Sequence, residues 1–330
     1  YNDLKNFEAA LADFDKAIAL QPNYVPAHHN KGNALFGLGR YGDALASYQR
    51  ALTLMPNFVE SHTGAGLCLH KLKRHDQSAE AYDAARKLKP DYPFLKGIVL
   101  HQKMLACDWS GTADLIADIE SDIAAGKLSA EPFGWQGVAT TDRSLQQCAE
   151  IYSAATFPAN HRGLPPARPD NGEKIRIGYL SGDFRAQATS FLLVGVLEQH
   201  DATRFEIHAF DNGWDDGSET RKRIDAAVHR VANIRGLSDA QAARAIRDSG
   251  IDILVNLNGY FGDDRNHVFA QRPAPVQVNY LGFPGTLGAP YMDYIVADPI
   301  VIPDAQRTFF TEKVVHLPHS YQANDNRRAM

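Results

Sequence analysis

Small and apolar residues recur along the first ninety positions with helical spacing, and that spacing is nested in a 34-residue period. Pro22, Pro56 and Pro90 mark the period. Before each, the same residue classes return in register: Ala10, Phe14, Ala17; then Ala44, Tyr48, Ala51; then Ser78, Tyr82, Ala85. Gly32 and Gly66 match in the same way and are followed by Leu35 and Leu69. The pattern predicts helix pairs in which small residues permit close approach, the aromatic fills the gap, and proline stops the second helix. From Asp91 to about Thr156 helical spacing continues without the period. Phe94, Ile98, Leu105 and Trp109 form one apolar stripe, and Leu145, Cys148, Ile151 and Tyr152 a second. Pro158–Lys174, rich in proline, glycine and arginine, reads as a linker.

Beyond the linker the spacing changes. Short β-branched runs at Ile175–Ser181, Phe205–Phe210, Ile251–Leu257, Val276–Leu281 and Tyr294–Ala297 predict strands. Helical patterns at Thr189–His200, Ser218–Val228, Asp239–Ser249 and Asn266–Gln271 lie between them. This alternation predicts a parallel, doubly wound sheet with helices on both faces, whose ligands sit beyond the carboxyl ends of the strands. Three loops follow such ends: Gly182–Ala188, Asn258–Arg265 and Gly282–Gly288. No GxGxxG follows the first strand and no GxxxxGK[ST] exists, which disfavours a dinucleotide cofactor and a P-loop ATPase.

A period of 34 is that of tetratricopeptide repeats. The expected organisation is repeats over 1–90, a helical adaptor over 91–157, a linker over 158–174 and a Rossmann-like lobe over 175–330. The fold class is α followed by α/β. Tyr1 falls midway through the first helix of a unit, so the chain is expected to begin inside a repeat.

Composition narrows the function classes. The chain has 330 residues and a net charge of −5, which argues against a general nucleic-acid or anionic-membrane binder. No apolar run reaches the length of a membrane span; even Ile251–Leu257 is interrupted by Asp252 and Asn256. Cys68, Cys107 and Cys148 lack metal-type spacing and read as buried free thiols of a reducing, cytoplasmic compartment. The 13 histidines show no ligand spacing, and no serine lies in a GxSxG elbow.

The repeats, followed by IRIGYLSGDF (175–184), DDG (215–217), ILVNLNGY (253–260) and RPAPVQVNYLGFPGTLGAPYMDYIVAD (272–298), resemble the O-linked N-acetylglucosamine transferase family, which includes the SPINDLY-type members. The resemblance covers essentially the whole chain. It implies a metal-independent, inverting GT-B glycosyltransferase without a cofactor. Such an enzyme moves a sugar from a nucleotide donor to protein Ser or Thr, with acceptor proteins held in the repeat groove. The donor is expected to be UDP-N-acetylglucosamine, or GDP-fucose as in SPINDLY-type relatives. The nucleotide-binding lobe is expected to begin after Met330, so that this lobe alone would transfer nothing and would expose Phe283 and Tyr260 on its cleft face.

The resemblance also suggests roles. Asp183, just past the first strand, is a candidate to take the acceptor proton; its alternative is capping the next helix together with Thr189 and Ser190. Four residues on, where well-known members carry histidine, stands Gln187, which bonds a sugar hydroxyl but does not titrate near neutrality. Thr189 matches and could bond the donor. Tyr260 matches a tyrosine facing acceptor and nucleotide. Arg265 offers either a cationic fork in the cleft or a surface pair with Asp263 or Asp264. Asp263 and Asp264 read as a solvated loop rather than a metal site. Leu281 and Gly282 match positions near the sugar, although Gly282 could equally serve the turn itself. Asn30 sits where family members line the groove with asparagine; Gly64 replaces it in the next unit, leaving a plain surface Asn30 as the alternative. Two functions compete: sugar transfer, and a repeat-based protein-binding scaffold with a degenerate transferase half, for which Gln187 is the motive.

Overall fold

The computed structural model describes residues 6–160 and 174–327. Residues 1–5, where the partial repeat is expected to begin, and most of the expected 158–174 linker lie outside these residues. The chain forms two compact units, Tyr1–Val138 and Ala139–Met330.

The first unit is a run of antiparallel helices: α1 Phe7–Leu20, α2 Val25–Gly37, α3 Tyr41–Leu54, α4 Val59–Lys71, α5 His75–Leu88, α6 Leu95–Leu105, α7 Thr112–Ala124 and the short α8 Pro132–Trp135. The 34-residue grammar has a direct packing cause. Tyr48 of α3 is buried in a notch made by Gly32 of α2 and Gly64 of α4; a Cβ at either glycine would lie 2.6 Å from its ring. Tyr82 of α5 sits the same way against Gly66, where a Cβ would come within 2.8 Å. His28 and His62, also 34 apart, each donate Nε2–H to the carbonyl of the preceding turn's proline, Pro22 and Pro56, at 2.8 Å. These histidines are turn clips. The expected stripe on α6 is displaced: Leu95, Val99 and Leu100 are buried, whereas Leu105 and Trp109 are exposed. Leu105 and Trp109 follow the helical spacing but stand where α6 ends and the chain turns.

The second unit opens with α9 (Asp142–Thr156), grouped with the adaptor by sequence, whose Tyr152 packs against core residues of this unit. Then come β1 Ile175–Ser181, α10 Ala188–Gln199, β2 Phe205–Asp211, α11 Glu219–Ala227, β3 Arg230–Asn233, α12 Asp239–Asp248, β4 Ile253–Asn256, α13 Asn266–Phe269, β5 Val276–Asn279, β6 Tyr294–Ala297, a 3-10 turn Asp304–Phe309 and β7 Lys313–His316. The seven strands pair in parallel in the order β3-β2-β1-β4-β5-β6-β7. Two apolar clusters fill it, one around Leu180, Leu254 and Phe269, the other around Tyr179, Leu193 and Val255. Helix starts follow their caps: Thr141 accepts from the Ser144 amide, Ser218 from Arg221, and Ser238 forms a capping box with Gln241. The strand order reverses direction between β1 and β4, which places a crevice at their carboxyl ends.

Candidate active site at the carboxyl edge of the sheet

The loops after β1, β2, β4 and β5 converge at this crevice, held by side chains that end the strands. Asn258 ties the first to the third: its Oδ1 accepts the Gly182 amide at 3.3 Å and its Nδ2 reaches Asp183 Oδ2 at 3.4 Å. Asn256, ending β4, accepts the amides of Asn258 and Gly259 and donates to Asn266 Oδ1. Asp211, ending β2, is buried and pairs with Arg221 at 2.5 Å, and Arg221 also donates to the Phe184 carbonyl at 3.2 Å. At Gly213 a Cβ would meet the Gly182 carbonyl oxygen at 2.3 Å, so the β1 and β2 loops touch backbone to backbone.

Asp183 lies in the middle of this assembly with 15% of its side chain exposed. Arg185 bridges to its Oδ1 at 3.1 Å and also donates to the Gly182 carbonyl. The guanidinium of Arg185 stacks 3.9 Å over the half-exposed Trp214 ring, which fixes it from the other side. The Asp183 carboxylate therefore has one partner on each oxygen, and its main-chain carbonyl accepts the Ser190 hydroxyl at 2.5 Å. Gln187 is the N-cap residue of α10 but makes no side-chain cap; it is exposed at the loop's rim. Thr189, in the first turn of α10, is 9% exposed. Asp216 in the β2 loop accepts the Ala186 amide at 2.9 Å, and that bond holds its carboxyl below the usual range.

Four expected site residues have structural occupations. Tyr260 donates its hydroxyl to the Leu287 carbonyl and packs edge-on against Tyr152 and Phe283. Burial drives its hydroxyl far above the ordinary tyrosine range. Arg265 is neither an open cleft cation nor paired with its loop neighbours. Its Nε meets Asp239 at 2.7 Å, and its remaining nitrogens donate to Asn212 Oδ1 and to the carbonyls of Ile234 and Leu237. A Cβ on Gly282 would lie 2.1 Å from the Leu257 carbonyl oxygen, so contact with the neighbouring strand end accounts for this glycine. Leu281 is buried and holds the strained φ of +76° that starts the turn. Phe283, expected to be exposed, is 2% exposed and belongs to the core. In the first unit, Asn30 is half-buried and accepts from Asn33 at 3.4 Å, while Asn33 takes the Tyr48 hydroxyl at 2.6 Å.

Sequence reasoning missed Arg185, Asp211, Arg221 and Asn258. The signal was there for one of them: Asn258, with Asn256 before it, interrupts an otherwise apolar run at its carboxyl end, where a buried amide must have backbone groups to satisfy. Among the described residues no group of three or more His, Cys, Asp or Glu side chains is placed to hold a metal ion.

Comparison with known proteins follows this geometry. A family model described as glycosyl transferase family 41 matches residues 146–330, and two tetratricopeptide-repeat models match 1–39 and 29–93. The chain belongs to glycosyl transferase family 41. It is 34% identical over 242 residues, 69% of its length, to the Arabidopsis thaliana protein SEC, named as a probable UDP-N-acetylglucosamine–peptide N-acetylglucosaminyltransferase. It is 39% identical over 157 residues, 47% of its length, to the Caenorhabditis elegans protein bearing the same enzyme name. These stretches cover 25% and 14% of the two relatives, so the chain spans a quarter or less of each. A solved structure of an O-GlcNAc transferase mutant from Thermobaculum terrenum matches with TM-score 0.64 and 25% identity over 98% of this chain and 59% of that one.

Proposed function

We propose that the protein acts in the transfer of N-acetylglucosamine from UDP-N-acetylglucosamine to Ser or Thr hydroxyls of other proteins, with inversion and without a metal ion. The observation that carries this reading is the meeting of the β1 and β4 loops, within the family-matched region, at the partly exposed carboxylate of Asp183. Asp183 takes the acceptor proton, directly or through water. Arg185 and Asn258 hold its carboxylate in place. Thr189 and Gln187, at the start of α10, hydrogen-bond the sugar donor. The helical repeats hold the acceptor protein, with Asn30 on the groove. Three free thiols, Cys68 and Cys148 buried as expected and Cys107 exposed where burial was expected, fit a reducing, cytoplasmic setting.

The test is to incubate the intact protein with UDP-N-acetylglucosamine and, in parallel, GDP-fucose, together with acceptor proteins, and to map modified residues by mass spectrometry. Transfer from the first donor supports the reading; no transfer from either removes it. The second reading, a protein-binding scaffold, is favoured by Gln187 and by the partners, Arg185 and Asn258, that the two oxygens of Asp183 already have. Asp183→Asn separates the two: partner capture that survives unchanged alongside no measurable transfer in either form leaves only the scaffold.

A further inference from the structure

The loop from Leu281 to Gly288 is held from outside by one buried acid. Glu312, in the connection between the 3-10 turn and β7, is 3% exposed. Its Oε1 accepts the Leu287 amide at 2.7 Å, and its Oε2 accepts the hydroxyls of Thr286 at 2.7 Å and Thr311 at 3.2 Å. Thr286 Oγ1 in turn accepts the amides of Gly288 at 3.1 Å and Thr311 at 3.3 Å. The Leu287 carbonyl takes the Tyr260 hydroxyl, so both main-chain polar groups of this residue are fixed, from two directions. Upstream, Asn279 Nδ2 donates to the carbonyls of Phe283 and Gly285.

Among the described residues no Lys, Arg or His forms an ion pair with Glu312; burial pushes its carboxyl up, and its hydrogen bonds pull the other way. Glutamine would fill the same space without burying a charge, at lower desolvation cost. What the carboxylate adds is two acceptor oxygens and charge-assisted bonds about twice as strong as neutral ones. That gain falls on the glycine-rich loop that follows β5. We propose that Glu312 is a positioning residue: through the Leu287 amide and the Thr286 hydroxyl it sets the shape of the 281–288 loop, and so the alignment of the sugar that this loop faces. The final clause rests on the glycosyltransferase reading; the first does not.

The experiment compares Glu312→Ala, Glu312→Gln and Thr286→Val in the intact protein by amide hydrogen exchange and by donor-dependent transfer kinetics. In Glu312→Ala the amides of Leu287 and Gly288 are expected to exchange roughly 10–100-fold faster, the size of a lost hydrogen bond to a charged group. Amides of β1 and β4 should be unchanged. kcat should fall about 100-fold with donor KM within about threefold, as for a loop displaced by about 1 Å. Glu312→Gln, which keeps one acceptor oxygen of the two, should recover part of kcat. Should Glu312→Ala not fold, Thr286→Val carries the test: Gly288 and Thr311 loosen while Leu287, still bound to Glu312, stays protected. Unchanged exchange at Leu287 and Gly288 overturns the clasp, whether or not the protein transfers sugar. Faster exchange with unaltered kcat overturns its role in alignment. Absence of transfer in the wild type overturns the function and leaves exchange to decide the clasp.

Discussion

In the helical unit one contact is written repeatedly. Tyr48 fills the notch of Gly32 and Gly64, and Tyr82 fills that of Gly66. Both partners are set by sequence spacing, and the crowding atoms belong to a ring; the backbone contact of this unit, Gly97 against the Cα of Ala130, lies outside the repeats. In the sheet unit the close approaches occur once each and involve backbone: Gly282 against the Leu257 carbonyl, Gly213 against Gly182, Gly288 against the amide of Glu150. The first arrangement can shift a ring to relieve crowding; the second has nothing that can give way. A repeat therefore declares its packing in the sequence, whereas a crevice built from loops hides it in singular contacts.

The difference can be broken from the repeat side by removing a knob. Tyr48→Ala should cost about 3–5 kcal/mol, the range for emptying a buried aromatic site, because its ring serves two helix contacts and its hydroxyl satisfies Asn33. Urea unfolding followed by far-ultraviolet dichroism should show the helical unit melting separately, since a two-unit chain need not unfold in one step. On the sheet side, Gly282→Ala should cost roughly 3 kcal/mol, because the new methyl meets main chain rather than a rotatable ring. Trp214 is the only tryptophan beyond residue 138, so its emission, isolated in a Trp109→Phe, Trp135→Phe background, reports this unit.

Charge pairs sharpen the contrast further. Arg223 joins Glu198 and Asp325, whose side chain is 2% exposed, and Arg327 adds to Glu198. Hydrogen bonding to Arg223 is the leading influence on both carboxyls and holds them below the usual range. A depressed folded-state value means stabilisation present above the unfolded carboxylate range, about pH 4, and lost as pH falls through the folded values. The sheet unit should thus weaken below about pH 4.5. Arg223→Gln should remove much of that acid sensitivity and cost about 2 kcal/mol at pH 7, since it leaves Asp325 buried without its cation. In the helical unit, Arg40 and Asp43 are both more than half exposed, and Arg40→Gln should change stability by less than about 0.5 kcal/mol.

The same contrast decides what the sequence discloses. The strands β1 and β6 fall where their β-branched runs predict, and the helices after β1, β2 and β3 within a residue or two, because each is a periodic pattern with a cap or turn at its end. β3 and β7 leave no such trace: Arg230–Asn233 and Lys313–His316 are four-residue edge strands carrying charge, as edges do. At the crevice, Asp183 was legible from its place after β1, and its partners were not. Arg185 reads as a surface residue until Trp214, 29 positions on, is seen beneath it. Tyr260 and Arg265 match a functional motif and have structural occupations, because a motif records position and not what a side chain already holds. Glu312 gave no signal at all, lying outside every run considered.

The smallest expected effect tests whether helices in the two units start by the same means. Ser238 opens α12 with a reciprocal capping box: its hydroxyl accepts the Gln241 amide at 3.3 Å, and Gln241 Oε1 accepts the Ser238 amide at 2.9 Å. Arg74 occupies the same place before α5, with φ −97° and ψ 67°, and makes no side-chain cap. Its helix starts instead from a tight interhelical turn, in which the Arg74 amide bonds the Leu69 carbonyl at 2.9 Å and Ser78 fastens to the Gly66 carbonyl at 2.7 Å. Ser238→Ala should therefore cost about 1 kcal/mol, as loss of an N-cap does. Arg74→Ala should cost less than about 0.5 kcal/mol, since only exposed contacts go with it. Urea midpoints measured with unit-specific probes compare the two directly. Equal losses would mean that the repeat helices depend on local capping after all, and that packing against neighbours is not what starts them.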